Sequence, residues 1–171
     1  MTYARHDEVS VEVNAAPEAL FDHLDDQERL AGHMNKPSMM MMGGRMFYEF
    51  DAAKGRATGS VIRMGGSFLW LKLLVEEVVT GHEAPRRKLW ETRGRPALVI
   101  IGSYRMGFEI TPVGSASRLR VFIDYDLPPG FLGGILGALL ARFYARWCVS
   151  RMAADAQHRF VPAAPVVRAA I

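Results

Sequence analysis

A chain of 171 residues suits one domain with a sizeable core and is short for two. Half of its residues are hydrophobic and 23% are charged, which excludes a disordered chain, and a net charge of +3 is too weak to argue for a nucleic-acid partner. The single cysteine, Cys148, excludes an internal disulfide and fits a reducing compartment. No apolar run reaches the ~20 residues of a membrane span, and the first residues lack the apolar stretch of a signal peptide. The expectation is a soluble cytoplasmic protein with one domain over 1–161 and a loose tail over 162–171.

Glu8 to Val13 alternates, with Val9, Val11 and Val13 on one face, and predicts a first strand. Pro17 suits the first position of a helix whose buried side is Leu20, Phe21 and Leu24. Asp25 and Asp26 are placed to cap a second short helix that ends near Gly32. From Ser38 the pattern turns to strands. Met39 to Asp51 reads as two extended pieces broken at Gly43-Gly44, followed by a hairpin turn at Ala52–Gly55. Arg56 to Met64 is the next strand, with a turn expected at Gly65-Gly66. In Ser67 to Thr80, Leu69, Leu71, Leu73, Val75 and Val79 share one face, and Lys72 and Glu76 take the other. Arg87 to Thr92 follows, then a turn at Gly94-Arg95-Pro96. Leu98 to Thr111 carries Tyr104, Met106, Phe108 and Ile110 on one parity. Arg118 to Leu127 alternates cleanly, as in a sheet covered on one face.

Behind Pro128, Pro129 and Gly130 comes a proline-free run to Val161, long enough for a helix of about 45 Å. At ~100° per residue, Leu132, Leu136, Leu140, Phe143, Trp147, Ala154 and Val161 fall on one side. Gly133, Gly137, Ala141, Ala145 and Cys148 fall on the other. The large side is expected to meet the sheet. The small side then lies against solvent or a neighbouring strand end, or meets a second copy or, less favourably, a membrane surface helped by Arg142, Arg146 and Arg151. An antiparallel sheet with one apolar face needs a cover, and only this helix is long enough. The fold class is therefore α+β: a curved antiparallel sheet of seven strands wrapped around a long C-terminal helix, with two short helices after the first strand.

This order resembles the START-like superfamily of helix-grip proteins, the polyketide cyclase/dehydrase and lipid-transport group. The residues that carry the resemblance are the opening Val11-Glu12-Val13-Asn14-Ala15-Ala16-Pro17-Glu18-Ala19-Leu20-Phe21-Asp22, the run Leu30-Ala31-Gly32-His33-Met34, and Tyr125-Asp126-Leu127-Pro128 before the long helix. It spans residues 5–161. It implies a cavity between sheet and helix for an apolar or aromatic molecule, and brings no catalytic motif with it. The expected wall is Met42, Tyr48, Phe50, Met64, Leu71, Leu73, Tyr104, Met106, Phe108, Ile123, Tyr125, Phe143 and Trp147.

The wall residues also have plainer readings. Methionines at 34, 39–42, 46, 64 and 106 suit a pliable wall, though ordinary core filling explains any one of them better. Inward tyrosines can orient a ligand hydroxyl or carbonyl, but more often bond to backbone or water. No histidine pair has metal-site spacing, and His33 is better read as a helix C-terminal histidine than as a functional one. Cys148 has no neighbouring histidine, and neither G-x-S-x-G nor G-x-G-x-x-G opens a helix. No metal ligand, cofactor or catalytic residue is assigned. Glu77, with inner parity, is the one titratable exception on the inner face, although a solvated carboxylate is the commoner outcome. The function expected first is binding of a hydrophobic small molecule, such as a lipid, quinone or polyketide-like compound. The alternatives are a cyclase- or dehydratase-type enzyme on a similar substrate and a ligand-free protein-interaction module.

Overall fold

The computed structural model describes residues 2–30, 46–68, 71–98, 100–128 and 131–161, with backbone alone at 67–68, 71–73, 131–139 and a few single positions. The elements run β1 (Arg5–Val13), α1 (Pro17–Asp25), α2 (Gln27–Leu30), β2 (Met46–Phe50), β3 (Val61–Phe68), β4 (Leu71–Glu83), β5 (Arg87–Ala97), β6 (Tyr104–Val113), β7 (Ala116–Tyr125) and α3 (Phe131–Arg159). The strands form one antiparallel sheet of seven in the order β1-β7-β6-β5-β4-β3-β2. Strands β2 to β7 are a meander, and β1 joins its far end beside β7, from Arg5 against Tyr125 to Val13 against Ser117. The curved sheet grips α3, which is the helix-grip architecture expected from the order of elements.

The alternation that predicts the strands also sets the core. Val75 and Val79 of β4, Tyr104, Phe108 and Ile110 of β6, and Leu119, Val121, Ile123 and Tyr125 of β7 are all buried. Leu20, Phe21 and Leu24 close one end from α1, with Phe21 edge-on to Phe108 at 5.5 Å. Asp26 caps α2, accepting from the Arg29 amide at 3.2 Å. Its neighbour Asp25 points inward instead.

Three expected turns fall differently. The β2–β3 connection is longer than a tight hairpin. Asp51 accepts from the Ser60 hydroxyl at 2.6 Å and the Val61 amide at 2.9 Å, so β3 starts only at Val61. Gly65-Gly66 is no turn but the middle of β3, paired with Phe47 and Met46 on one side and with Leu74 and Leu73 on the other. Glycine is needed at 65 because the Phe47 ring lies across the strand, where a Cβ would stand 2.2 Å from it. Gly94 to Pro96 likewise stays inside β5. There the ladder jumps from Leu74↔Ala97 to Glu76↔Arg93, a bulge that absorbs the extra residues.

The largest departure is the rotation of α3. Ala141 and Ala145 are 0% exposed, and Cys148, Val149, Met152, Ala153 and Ala156 are buried with them. Leu140 is 43% exposed, Phe143 63% and Val161 64%. The small-residue side faces the sheet and the large side faces out, the reverse of the expectation. The reason is distance. The helix backbone comes closest to β1 and β7, and its end is pinned there by the Gln157 amide on the Glu12 carbonyl at 2.9 Å. The small side chains of Ala141, Ala145, Ala153 and Ala156 permit such an approach. The small face is therefore filled by the chain's own sheet at Ala141 and Ala145. Gly133 and Gly137 are described as α3 backbone alone, and Met34, Met39–Met42 and His33 lie outside the described residues.

Candidate functional site

Strand β4 carries Val75, Glu77 and Val79 on its inner face, and all three are buried. Glu77 is 2% exposed. A carboxylate in that position is desolvated, and burial pushes its pKa up to about 7. Three neighbours pull it back only in part: the Tyr104 hydroxyl, the Lys88 charge, and the indole N–H of Trp90. The Tyr104 hydroxyl donates to Glu77 Oε1. Glu77 Oε2 has no hydrogen bond among the described residues.

Tyr48 reaches the same region from β2, two strands away. It pairs with Met64 of β3, which pairs with Val75 of β4. Its ring stacks on Phe50 with centroids 6.2 Å apart and planes 11° from parallel. Its hydroxyl is buried with no partner among the described residues. Burial raises its pKa, and the Glu77 charge raises it further, so the two groups feel one another. From α3, Tyr144 and Cys148 act on one another: the Cys148 charge and then burial raise the Tyr144 pKa, and burial raises the thiol to about 12. Cys148 is thus a neutral thiol near pH 7 and no nucleophile. The whole group is Glu77, Tyr48, Tyr104, Trp90, Tyr144 and Cys148. It is a small polar island within an apolar grip.

The expected wall residues are not all gathered here. Met64, Tyr104, Phe108, Ile123 and Tyr125 are buried, and Tyr48, Phe50 and Met106 are half-buried against the core. Phe108 fills solid core between Phe21 and Trp90. Tyr125 gives its hydroxyl to Asp7 at 3.1 Å, a structural bond that leaves it no free group. Phe143 is corrected outright, since it stands on the exposed side of α3. Trp147 lies on that same outward stripe, half-buried, with its ring 6.2 Å from Tyr144. Met42 is outside the described residues, and Leu71 and Leu73 are described as β4 backbone alone.

A second buried charge went unread in the sequence. Lys88 of β5 is 0% exposed. Its Nζ donates to Asp25 Oδ1 at 2.7 Å and to the Asp25 carbonyl at 3.0 Å. The Asp25 carboxylate also meets His82 Nε2 at 3.1 Å. Burial lowers the Lys88 pKa, and Asp25 opposes this. The trio ties the end of α1 to β4 and β5. Its signal was the parity of Lys88 with Trp90, but a lysine amid strand residues normally reads as solvent-facing.

Beside Phe50 a cleft of about 110 Å³ is lined by Asp26, Gln27, Lys54 and Arg56, and Phe50 is shared between it and the Tyr48 stack. Among the described residues no group of three His, Cys, Asp or Glu side chains forms a metal site, and no helix is long and apolar enough to cross a membrane.

Solved structures share this architecture. A protein of Thermus thermophilus superposes with a TM-score of 0.65 at 16% identity, over 91% of this chain and 97% of its own. Truncated norcoclaurine synthase of Thalictrum flavum gives 0.65 at 13% identity, over 96% and 98%. A Chromobacterium violaceum protein gives 0.60 at 14%, over 93% and 99%. At these identities the likeness is one of fold alone. No curated protein matches the sequence. The family model for polyketide cyclase / dehydrase and lipid transport matches residues 5–157, nearly the whole folded chain. The chain belongs to the polyketide cyclase/dehydrase and lipid-transport family.

Proposed function

We propose that the protein binds a hydrophobic small molecule between sheet and helix, with the polar end of that molecule at Glu77 and Tyr48. The observation that carries this reading is the pair of buried, unpartnered polar atoms, Glu77 Oε2 and the Tyr48 hydroxyl. A buried polar atom without a partner costs about 1–3 kcal/mol. A ligand oxygen or N–H placed there would recover that cost, and the surrounding aliphatic and aromatic side chains would take an apolar body. A lipid-, quinone- or polyketide-like compound with one hydrogen-bonding end fits the description, and the family includes both transport and cyclase members by name. A cytoplasmic carrier of such a compound is consistent with the lone, buried Cys148.

Thermal shift with matched compound pairs tests the reading. A long-chain alcohol or acyl compound should raise the melting temperature more than the alkane of equal length, and Tyr48→Phe with Glu77→Leu, which removes both polar ends, should erase the difference. Equal shifts for alcohol and alkane in the native protein would remove the polar island from the site.

One observation favours a second reading. A carboxyl whose pKa sits at about 7 holds and releases a proton near neutral pH. In an enzyme of cyclase or dehydratase type, Glu77 would move that proton and Tyr104 would hold the carboxyl in place. Turnover of a bound compound, lost in Glu77→Gln and retained in Tyr48→Phe, would separate catalysis from carriage.

A further inference from the structure

The outward side of α3 is a second surface, independent of the site above. Leu140 and Phe143 are exposed there at 43% and 63%. With half-buried Trp147 they follow the i, i+3, i+7 spacing of a single helix stripe. Exposed large apolar groups at one spacing on an outer helix face mark a contact surface, and here exposed arginines flank them. Arg142 and Arg146 lie on one flank of the stripe and Arg151 on the other, all exposed. No acidic residue occurs from Phe131 to Ala154 in the sequence. The nearest acids are Asp155, beyond the stripe, and Asp7 of β1, whose carboxylate lies 3.9 Å from Arg142 Nε.

We propose that the stripe Leu140–Phe143–Trp147, with Arg142, Arg146 and Arg151 beside it, docks the protein on an anionic lipid bilayer. The pattern is that of a helix lying in the membrane–water interface: aromatic and leucine side chains enter the acyl boundary while arginines meet headgroup phosphates. Charge decides against a second copy. A two-fold contact through this face would bring the three arginines of one copy against a face that carries the same three arginines. The stripe offers no carboxylate to answer them. A flat anionic surface answers all three. The position also matters, because the two turns that carry Leu140, Phe143 and Trp147 outward carry Tyr144 and Cys148 inward to the polar island. Docking would therefore set the helix segment over the island directly at the bilayer.

Sedimentation with vesicles tests this. Vesicles of phosphatidylcholine with one third phosphatidylglycerol should carry the protein down at 50 mM salt, and pure phosphatidylcholine vesicles should carry far less. Raising salt should weaken binding, as screening of surface charge requires. Phe143→Ser should weaken it roughly tenfold by removing inserted apolar surface. The double variant Arg146→Glu/Arg151→Glu should weaken it by roughly tenfold or more and flatten the salt dependence. All three positions are exposed, so circular dichroism and the melting temperature should match the native protein; were Phe143→Ser to misfold, the arginine pair decides alone. No sedimentation with anionic vesicles at low salt overturns the proposal, as does binding that neither variant changes. A concentration-dependent dimer in light scattering, split by Phe143→Ser in a protein that ignores vesicles, overturns it too and gives the surface to a second copy.

Discussion

Glu77 is neutral or charged depending on pH, and the fold bears the consequence. Its folded pKa of about 7 lies above the unfolded value. Stability from this group is therefore fully present below pH ~4.5 and is lost as pH rises toward 7, because the unfolded chain releases the proton first. The loss is on the order of 3 kcal/mol. In Glu77→Gln the group no longer titrates. The stability difference between native protein and variant, from urea unfolding at pH 4.5, 6 and 8, should swing toward the variant by about that amount. A flat difference would mean that Glu77 is solvated. Lys88 behaves differently because it has a partner. Removing one member of a buried ion pair strands the other, at about 3–5 kcal/mol. Lys88→Met should show that loss in urea unfolding, and Lys88→Met with Asp25→Leu should recover most of it. Inner parity was legible for both residues. Their burial was not, because strand alternation says which way a side chain points and not whether water follows it. The hydroxyl of Tyr104 could not be assigned its partner from sequence for the same reason, since Glu77 arrives from another strand.

The elements were easier to read than their contacts. All seven strands and the three helices among the described residues follow from period and punctuation. Paired glycines misled, since Gly65-Gly66 reads as a turn locally and is a strand only because Phe47 crosses it. The rotation of α3 misled more. A helical projection separates two faces but does not say which is inside, and size suggested the large one. What decides is how closely a curved sheet must approach, and that is a property of β1 and β7 together rather than of the helix sequence. The test is a contrast between faces. Ala145→Leu adds three carbons where there is no room, and overpacking of this kind costs about 1–3 kcal/mol. Phe143→Ala removes a ring from the exposed side and should stay within about 0.5 kcal/mol of the native protein. Had the large face been the core, the order would be reversed, with the Phe143 variant losing about 3–5 kcal/mol.

At the scale of the molecule, Glu77 titrates near neutral pH inside the grip with an incomplete set of partners among the described residues, so ligand binding and proton binding are linked through it. Oε1 already accepts from Tyr104. Oε2 is free to present a proton when Glu77 is neutral and can only accept when it is charged. A neutral compound whose carbonyl or ether oxygen enters the island needs that proton, so it binds the neutral form. With a pKa of about 7, the competent fraction falls from about nine-tenths at pH 6 to about one-tenth at pH 8, and affinity should fall about tenfold over that range. Calorimetry in two buffers of different ionisation enthalpy should show proton uptake at pH 8 and almost none at pH 6. Glu77→Gln keeps a donor at that position and should bind with an affinity independent of pH. A cationic amine would show the opposite slope, tightening as pH rises, because it pairs with the carboxylate and expels the proton. Affinity equal at pH 6 and 8 for both kinds of compound would place the ligand away from Glu77, wherever else in the grip it lies.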